Sequence, residues 1–342
     1  MERKHWGVFA AYLLVIVALI GLTGCGKTEK AAPKAQNEVV NLRLAHAYDE
    51  KQPLHQGAMK MAAIVAEKTN GKIQIKIFPN STLGSPREVT EGMKNGTVDM
   101  GLIPTTNAAV FYNKLDLFYL PFLFANKEQA YAVSDGPVGT KLYEEFRQKT
   151  GIRTLGMYES GFRQLTNSKK AVRVPADLAG LKIRATDSPI NVDTFKSLGV
   201  NTSPMAMGEI FTALQQGTVD GQDNPIGNVY ALSFYKVQKY LTLTRHQWAG
   251  IMILMSEKQW AKLTPEYQKI VQDAARESVA LQRKDINTKE QGFVDIMKKE
   301  GLQVIDITPE ERKLFQDKMQ TVWDKYQDKI GKDLIEAAVK TK

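Results

Sequence analysis

The stretch GLTGCGKT at residues 21–28 offers the first recognisable chemistry in the sequence. A glycine, four residues and then Gly-Lys-Thr satisfy the pattern whose backbone amides and lysine cradle nucleotide phosphates. A working phosphate loop needs a short buried strand before it and a helix after it. The apolar run 8–20 is too long for that strand, and residues 27–38 carry a proline and no apolar stripe. A P-loop nucleotide-dependent enzyme therefore stays only as the alternative.

The same segment also fits a secretion signal. Basic residues precede the apolar run 8–20 and small residues follow it, which is the order of a cleavable signal. The box L-T-G-C at 22–25 resembles the bacterial lipoprotein signal, in which the cysteine becomes the lipidated N-terminus. This resemblance implies a signal peptide at 1–24, lipidation of Cys25 and a flexible tether at 25–38. A plain transmembrane anchor is the rival interpretation, and either one places the folded part outside the cytoplasm.

The sequence offers little further catalytic chemistry. Cys25 is the single cysteine, and the chain contains no H-E-x-x-H, C-x-x-C, G-x-S-x-G or G-x-G-x-x-G motif. A Ser-His-Asp triad stays open, because its members need not be close in sequence. We expect no enzyme, no cofactor and no metal site. The four histidines, none paired at metal-ligand spacing, are His5, His46, His55 and His246.

Composition places the rest of the chain among globular proteins. The 342 residues are 43% hydrophobic and 24% charged, and residues 39–342 suffice for two domains. The formal net charge is +9, but the basic residues alternate with acids and form no dense stripe with interleaved aromatics. That pattern argues against nucleic-acid binding and leaves room for an anionic ligand or membrane face.

An internal repeat predicts the architecture that must position any site. EVTEGMKNGTVD at 88–99 aligns without gaps on EIFTALQQGTVD at 209–220, and each copy has the pattern of a helix, a glycine stop and a strand. Two βαβαβ units predict two α/β lobes with mostly parallel sheets, and ligands bind beyond the carboxyl ends of such strands. The predicted strands are 40–45, 72–78, 98–103, 181–185 and those near 200 and 219, and the predicted helices are 53–69, 86–95, 189–198 and 207–216.

Several longer stretches together resemble one protein family. The chain resembles the solute-binding proteins of tripartite ATP-independent periplasmic (TRAP) transporters, in the dicarboxylate-receptor branch, over nearly all of 40–335. The stretches that carry the resemblance are GKIQIKIFPNSTLG (71–84), GTVDMG (96–101), LPFLF (120–124), GFRQLTNS (161–168), VPADLAGLKIR (174–184), PMAMGEIFTALQQGTVDGQDNP (204–225) and FYKVQKYLTLTRH (234–246).

The resemblance implies a fold and partners. It implies a periplasmic-binding-protein-like fold, in which two α/β lobes surround a ligand cleft and long C-terminal helices pack on both. We expect residues 39–160 to form mainly lobe 1, 161–250 mainly lobe 2 and 251–342 a helical C-terminal part. The implied partners are a small organic acid and the membrane permease subunits that receive it. We expect a lipid-anchored extracytoplasmic monomer. A ligand-sensing subunit of a membrane receptor stays open as an alternative.

Arg184, at the end of the GLKIR strand, is the foremost candidate for ligand binding. In the resembled family the arginine at this point clamps the ligand carboxylate, and a planar guanidinium can bind a carboxylate through two nitrogens. The structural alternative is an arginine paired with a local acid such as Asp187. The other candidates that the resemblance implies are Arg163, Asn224, Asp187, Met207, His46 and Asn107.

The resemblance also narrows the ligand. Sialic-acid-binding relatives carry an acid and an arginine after the strand at 98–103, where this sequence has Pro104 and Asn107. Sialic acid is therefore not expected. Sugar acids such as hexuronates, C4-dicarboxylates, and keto or hydroxy acids remain open. The stretches YESGFR (158–163) and GQDNP (221–225) favour sugar acids.

Overall fold

The computed structural model describes residues 39–342, and the signal, Cys25 and tether predictions lie outside these residues. Predicted strands and helices are found where the periodicity indicated them, with ends shifted by one to three residues. The strands of this part of the chain are β1 (Val40–Ala45), β2 (Ile73–Phe78), β3 (Met100–Pro104), β4 (Ile152–Asn167), β5 (Lys182–Ala185), β6 (Asn201–Pro204), β7 (Gly221–Pro225), β8 (Tyr240–Leu243), β9 (Trp248–Ser256) and β10 (Gln303–Asp306).

Several helices begin with proline in the first turn, where its missing amide hydrogen costs no hydrogen bond. Ser85 and Thr308 accept from the backbone three residues on, and a glutamate there completes each capping box. The helices are α1 (Pro53–Lys68), α2 (Pro86–Asn95), α3 (Thr105–Ala108), α4 (Lys127–Asp135), α5 (Pro137–Thr150), α6 (Pro189–Ser197), α7 (Ile210–Gln215), α8 (Ile226–Ala231), α9 (Glu257–Trp260), α10 (Pro265–Lys299), α11 (Pro309–Asp317), α12 (Gln320–Ile330) and α13 (Lys332–Lys340).

Lobe 1 is built on a sheet in the order β2-β1-β3-β9-β4. The first three strands are parallel, whereas β9 runs antiparallel to both β3 and β4. Apolar side chains of β1 and β9 pack on one face against α1 and the first half of α10, and the other face packs against α2, α4, α5, α12 and α13. This sheet is therefore buried on both faces.

Lobe 2 is built on a sheet in the order β4-β7-β5-β6, with β8 paired to β4 and β10 paired to β8. Helices α7, α8 and the end of α10 cover one face, and α6 and α11 cover the other. Strands β5, β6 and β7 are parallel, so their carboxyl ends meet at one edge. Arg184 lies at that edge.

Strand β4 connects the lobes. Its pairing with β9 ends at Phe162, and its pairing with β7 begins at Arg163. A bulge between Glu159 and Gly161 precedes this change of partner, and Gly161 has φ of 109°, a left-handed value that favours glycine. Helix α10 packs on both sheets and lies along β4, and the Gln282 side chain bonds the Glu159 backbone amide and carbonyl at 3.0 and 2.7 Å.

The repeated Gly-Thr-Val-Asp stretches have equivalent structures. Gly96 and Gly217 both end a helical segment with positive φ. Asp99 accepts a hydrogen bond from the backbone amide of Arg43 in β1, and Asp220 accepts one from that of Lys182 in β5, each at 2.8 Å. The repeated aspartate therefore fixes the start of one strand against its parallel neighbour in each lobe.

One predicted boundary is wrong. Residues 251–256 were expected in the helical C-terminal part, but they are strand and every residue of β9 is buried. Ile251, Ile253 and Met255 face the α1–α10 core, whereas Met252 and Leu254 face the opposite core. A continuous apolar run that is buried on both faces is typical of a central strand, and its periodicity alone does not distinguish it from a buried helix.

Candidate functional site

Arg184 is a buried cation, only 2% exposed, at the carboxyl end of β5. Its Nε and Nη2 donate to the backbone carbonyl of Met205, at 3.1 and 2.6 Å. Its Nη1 is buried and has no hydrogen-bond partner among the described residues. Burial, and next the nearby charge of Arg163, lower the pKa of Arg184 to about 10. The guanidinium is still charged at neutral pH, and one of its donors is left for an acceptor outside residues 39–342.

Arg163 is also buried, but its charge is balanced. Its Nε donates to a carboxylate oxygen of Asp223 on the neighbouring strand, and its Nη2 donates to the Asp223 backbone carbonyl. Its guanidinium lies 5.7 Å from the ring centre of Tyr119. Burial opposes the charge of Arg163, but the carboxylate of Asp223 outweighs burial and raises the pKa above its usual value. Arg163 and Asp223 therefore form a buried ion pair.

Asp223 has further partners on its Oδ2. His246 Nε2 lies 3.2 Å away and Asn191 Nδ2 lies 3.3 Å away. Burial opposes ionisation of Asp223, but Arg163 and His246 lower its pKa, whereas burial lowers the pKa of His246. The ionised carboxylate can only accept, so the neutral imidazole carries its proton on Nε2 and its Nδ1 accepts from Thr244 at 2.7 Å. Asp223 Oδ1 is buried and has no partner within the described chain.

Hydroxyl groups near these charges also lack partners. The charge of Arg163 acts on Tyr48, and the charges of Arg163, Asp223 and Arg184 act on Tyr119. Burial raises the pKa of both phenols, which are therefore protonated donors. In the described part of the chain, four hydroxyl oxygens near these charges are buried without a hydrogen-bond partner, those of Tyr48, Tyr119, Thr186 and Ser188.

The structure brings the two predicted arginines together, since the charge of each acts on the other's surroundings. Asn224 is fully buried, and its amide bonds Gln222 at 2.6 Å and Asn228 at 3.1 Å. Asp187 is exposed while Arg184 turns to a carbonyl, so the predicted alternative of a local ion pair is not what the structure shows.

The remaining predicted residues lie at different depths. His46 follows β1 and is buried, with Nε2 3.1 Å from His55 Nδ1 and Nδ1 accepting from the Tyr48 amide at 3.1 Å. Met207 is half-buried and packs against the apolar core of lobe 2. Asn107 is half-buried in α3. Their contact with a ligand stays a prediction.

Sequence reasoning missed Asp223, His246, Tyr119 and Tyr48 as parts of this site. A signal for Asp223 was present, because buried arginines require a carboxylate and this residue directly precedes the chosen Asn224. Tyr119 and Tyr48 come from separate segments of lobe 1, and their spacing gives no indication that they meet lobe 2.

A cavity of about 470 Å³ lies elsewhere, between α5, β4 and α10. Two arginines in its wall already pair with glutamates: Arg147 with Glu144 at 2.6 Å, and Arg153 with Glu257 at 2.7 Å. These satisfied pairs do not call for a ligand, whereas the unpaired donor of Arg184 does.

Two features of other protein classes were examined over residues 39–342. In this part of the chain, no helix has both the length and the apolar character needed to cross a membrane. The same residues contain no group of three or more His, Cys, Asp or Glu side chains that could hold a metal ion.

Comparison with known proteins decides the family. The family described as "Bacterial extracellular solute-binding protein, family 7" (DctP) matches residues 44–329. The chain belongs to this family. This solute-binding protein is similar to the 2,3-diketo-L-gulonate-binding periplasmic protein YiaO of Escherichia coli strain K12. The two are 35% identical over 298 residues, which cover 87% of this chain and 89% of the relative.

Solved structures agree with the fold. The sugar acid binding protein DctPAm from Advenella mimigardefordensis, in complex with galactonate, matches with a TM-score of 0.84 and 30% identity over 89% of this chain and 98% of that one. The TRAP periplasmic solute-binding protein from Sulfurospirillum deleyianum, with bound succinate, matches with a TM-score of 0.83 and 31% identity over 89% of this chain and all of that one. The predicted family and two-lobe fold are confirmed.

Proposed function

We propose that this chain is the extracytoplasmic receptor of a TRAP transporter and binds an organic acid anion, either a sugar acid such as a hexuronate or a C4-dicarboxylate. The observation that carries the proposal is Arg184, a fully buried guanidinium with one donor left unpaired. A ligand carboxylate supplies both the countercharge and the acceptor. The relatives named above, with galactonate or succinate bound, support this ligand class.

The proposal extends to the cell surface. The receptor delivers its ligand to membrane permease subunits, acts as a monomer and stays at the membrane through a lipid on Cys25. It carries out no catalysis and needs no cofactor, consistent with relatives that are binding proteins. A ligand-sensing subunit of a membrane receptor would use the same site, and no observation within residues 39–342 favours it.

Substitution of Arg184 tests the proposed clamp. Arg184→Ala should remove binding by roughly 2–5 kcal/mol, because the ligand carboxylate would be buried without its cation. Arg184→Lys keeps the charge but loses the planar fork, so we expect an intermediate loss. The measurement is the shift in melting temperature across a panel of organic acids, since a ligand stabilises the native state by RT ln(1+[L]/Kd).

Arg276→Ala is the matched control, because the Arg276 side chain is 73% exposed and lies in the first half of α10. It should retain the full ligand-induced shift. Retention of that shift by Arg184→Ala, or the absence of any shift in the unmodified protein, would contradict the proposed function.

A further inference from the structure

The buried charges around Arg184 sum to a single positive charge. Arg163, Arg184 and Asp223 are each at least 96% buried, and the carboxylate offsets one of the two guanidiniums. Burial keeps His246 neutral by lowering its pKa, and burial and the charge of His55 lower the pKa of His46 to about 4. Neither histidine therefore adds charge at neutral pH.

Charges further out do not change this balance. Glu209 acts on Arg184 from an exposed position, and Arg312 acts on His246 from a half-buried one. Their opposite signs offset each other. A ligand with one carboxylate therefore neutralises the buried groups, whereas a second carboxylate would be buried without a cation, which is strongly unfavourable.

The unpaired polar atoms give an independent constraint. Asp223 Oδ1 can only accept a hydrogen bond, and ligand carboxylates cannot donate one at neutral pH. The hydroxyls of Tyr119 and Thr186 are neighbours, yet neither has a partner of proper geometry within residues 39–342. Ligand hydroxyl groups both donate and accept, so they satisfy the aspartate and the protein hydroxyls at once.

Resting on the proposed function, we propose that the site selects an organic acid with one negative charge and several hydroxyl groups. A sugar acid with a single carboxylate fits this description, and a C4-dicarboxylate does not. Arg184 binds the carboxylate, Asp223 accepts from a ligand hydroxyl, and Tyr119 and Tyr48 donate to ligand oxygens. The ion pair of Arg163 with Asp223 thereby sets the charge that the site accepts.

The test separates charge from hydroxylation in acids of equal length. Titration calorimetry compares galactonate, galactarate, hexanoate and adipate, which are the hydroxylated and plain monoanion and dianion of six carbons. The four-carbon set is D-erythronate, tartrate, butyrate and succinate. We expect the hydroxylated monoanion of at least one length to bind at least 100-fold more tightly than the other three acids of that length, because buried polar groups left unpaired discriminate strongly.

The outcomes separate the two proposals. A dianion that binds as tightly as the hydroxylated monoanion of its length, or more tightly, overturns the inference and leaves the proposed receptor function standing. A plain monoanion that equals its hydroxylated counterpart also overturns it. If no acid of either length binds, the receptor function itself fails.

Removal of one hydroxyl tests the assignment at atomic level. The Tyr119 hydroxyl has no partner in the described chain, so Tyr119→Phe should leave the ligand-free melting temperature unchanged. It should weaken galactonate binding roughly tenfold and leave hexanoate binding as it was. Tyr158→Phe is the matched control, because the Tyr158 hydroxyl is buried and bonds Ser278 at 2.9 Å. That change should lower the melting temperature but preserve the affinity ratio of the two acids. An equal loss for both acids in Tyr119→Phe contradicts the assignment.

Asp223→Asn tests the charge balance directly. The variant has two buried guanidiniums and no carboxylate, so its affinity ratio of galactarate to galactonate should rise at least tenfold over that of the unmodified protein. An unchanged ratio in folded variant, verified by circular dichroism, contradicts the inference. Because Asp223 is fully buried against Arg163, the variant also loses stability. The comparison of acids on the unmodified protein tests the charge rule without that variant.

Discussion

The two buried arginines have the same side chain but different charge environments. Arg163 is paired with Asp223, whereas Arg184 binds a neutral backbone carbonyl and keeps an unpaired donor. An uncompensated buried charge is costly, so the unpaired arginine marks the point at which an anion stabilises the protein most. At the residue scale, the partner of each arginine therefore matters more than its position in a motif.

His46 gives a prediction for stability against pH. Its pKa falls from 6.5 to about 4 on folding, so the native state binds fewer protons than the unfolded state between these values. The contribution of His46 is fully present above pH 6.5 and is lost as the pH falls towards 4. The total is about 3 kcal/mol at one pKa unit per 1.36 kcal/mol. Urea unfolding at several pH values measures it.

His46→Asn removes the titrating group and serves as the comparison. The variant should lose less stability than the unmodified protein between pH 6.5 and 4, although it is less stable at pH 7 because the contact with His55 is lost. Identical pH profiles for the two proteins would show that His46 does not carry this dependence.

The sequence identified Arg184 and Arg163 but could not supply their surroundings. Arg163 and Asp223 are 60 residues apart, and Tyr119 comes from a 3-10 helix of lobe 1. These contacts arise when β4 brings the two sheets together, and no local pattern encodes that event. The helix and strand periods of the repeat, by contrast, are local properties, and they predicted α2, β3 and β7 correctly.

At the scale of elements, the sheets depend on two strands that the repeat does not contain. The βαβαβ units account for the parallel strands, and the antiparallel β4 and β9 join them through long-range pairing. The apolar run of β9 has no helical or alternating period, so the sequence left its type undetermined. Strand β4 changes sheets immediately after Gly161, where the backbone adopts a left-handed conformation.

Two glycine substitutions test this interpretation with opposite signs. Gly161→Ala should destabilise the protein by about 1–3 kcal/mol, because an L side chain is strained at a φ of 109°. The added Cβ would meet Pro225 Cβ at an ordinary 3.4 Å, so the cost lies in the backbone. Gly292→Ala, in α10 with open space around its Cβ, should stabilise by about 0.5–1 kcal/mol.

Thermal unfolding of both variants measures these effects. A neutral Gly161→Ala would mean that the crossing of β4 relaxes without the left-handed backbone. A destabilising Gly292→Ala would mean that this face of α10 is closely covered in solution.

At the scale of the whole molecule, the described residues form a receptor and the segment before them decides where it acts. The P-loop alternative needs residues 21–28 in the mature protein, whereas the lipoprotein proposal removes residues 1–24. Mass spectrometry of the membrane-extracted mature protein should find a lipid-modified Cys25 as the first residue. A mature chain that retains Gly21 would contradict the lipid anchor and restore the nucleotide alternative.

The anchor of Arg184 also affects how relatives of this protein can diverge. Its Nε and Nη2 are held by the carbonyl of Met205, and every amino acid at position 205 carries that carbonyl. Mutation of the Met205 side chain can therefore alter the wall beside the guanidinium while the guanidinium keeps its aim. Evolution can in this way exchange one acid for another by drift at neighbouring positions, without a compensating change at the arginine.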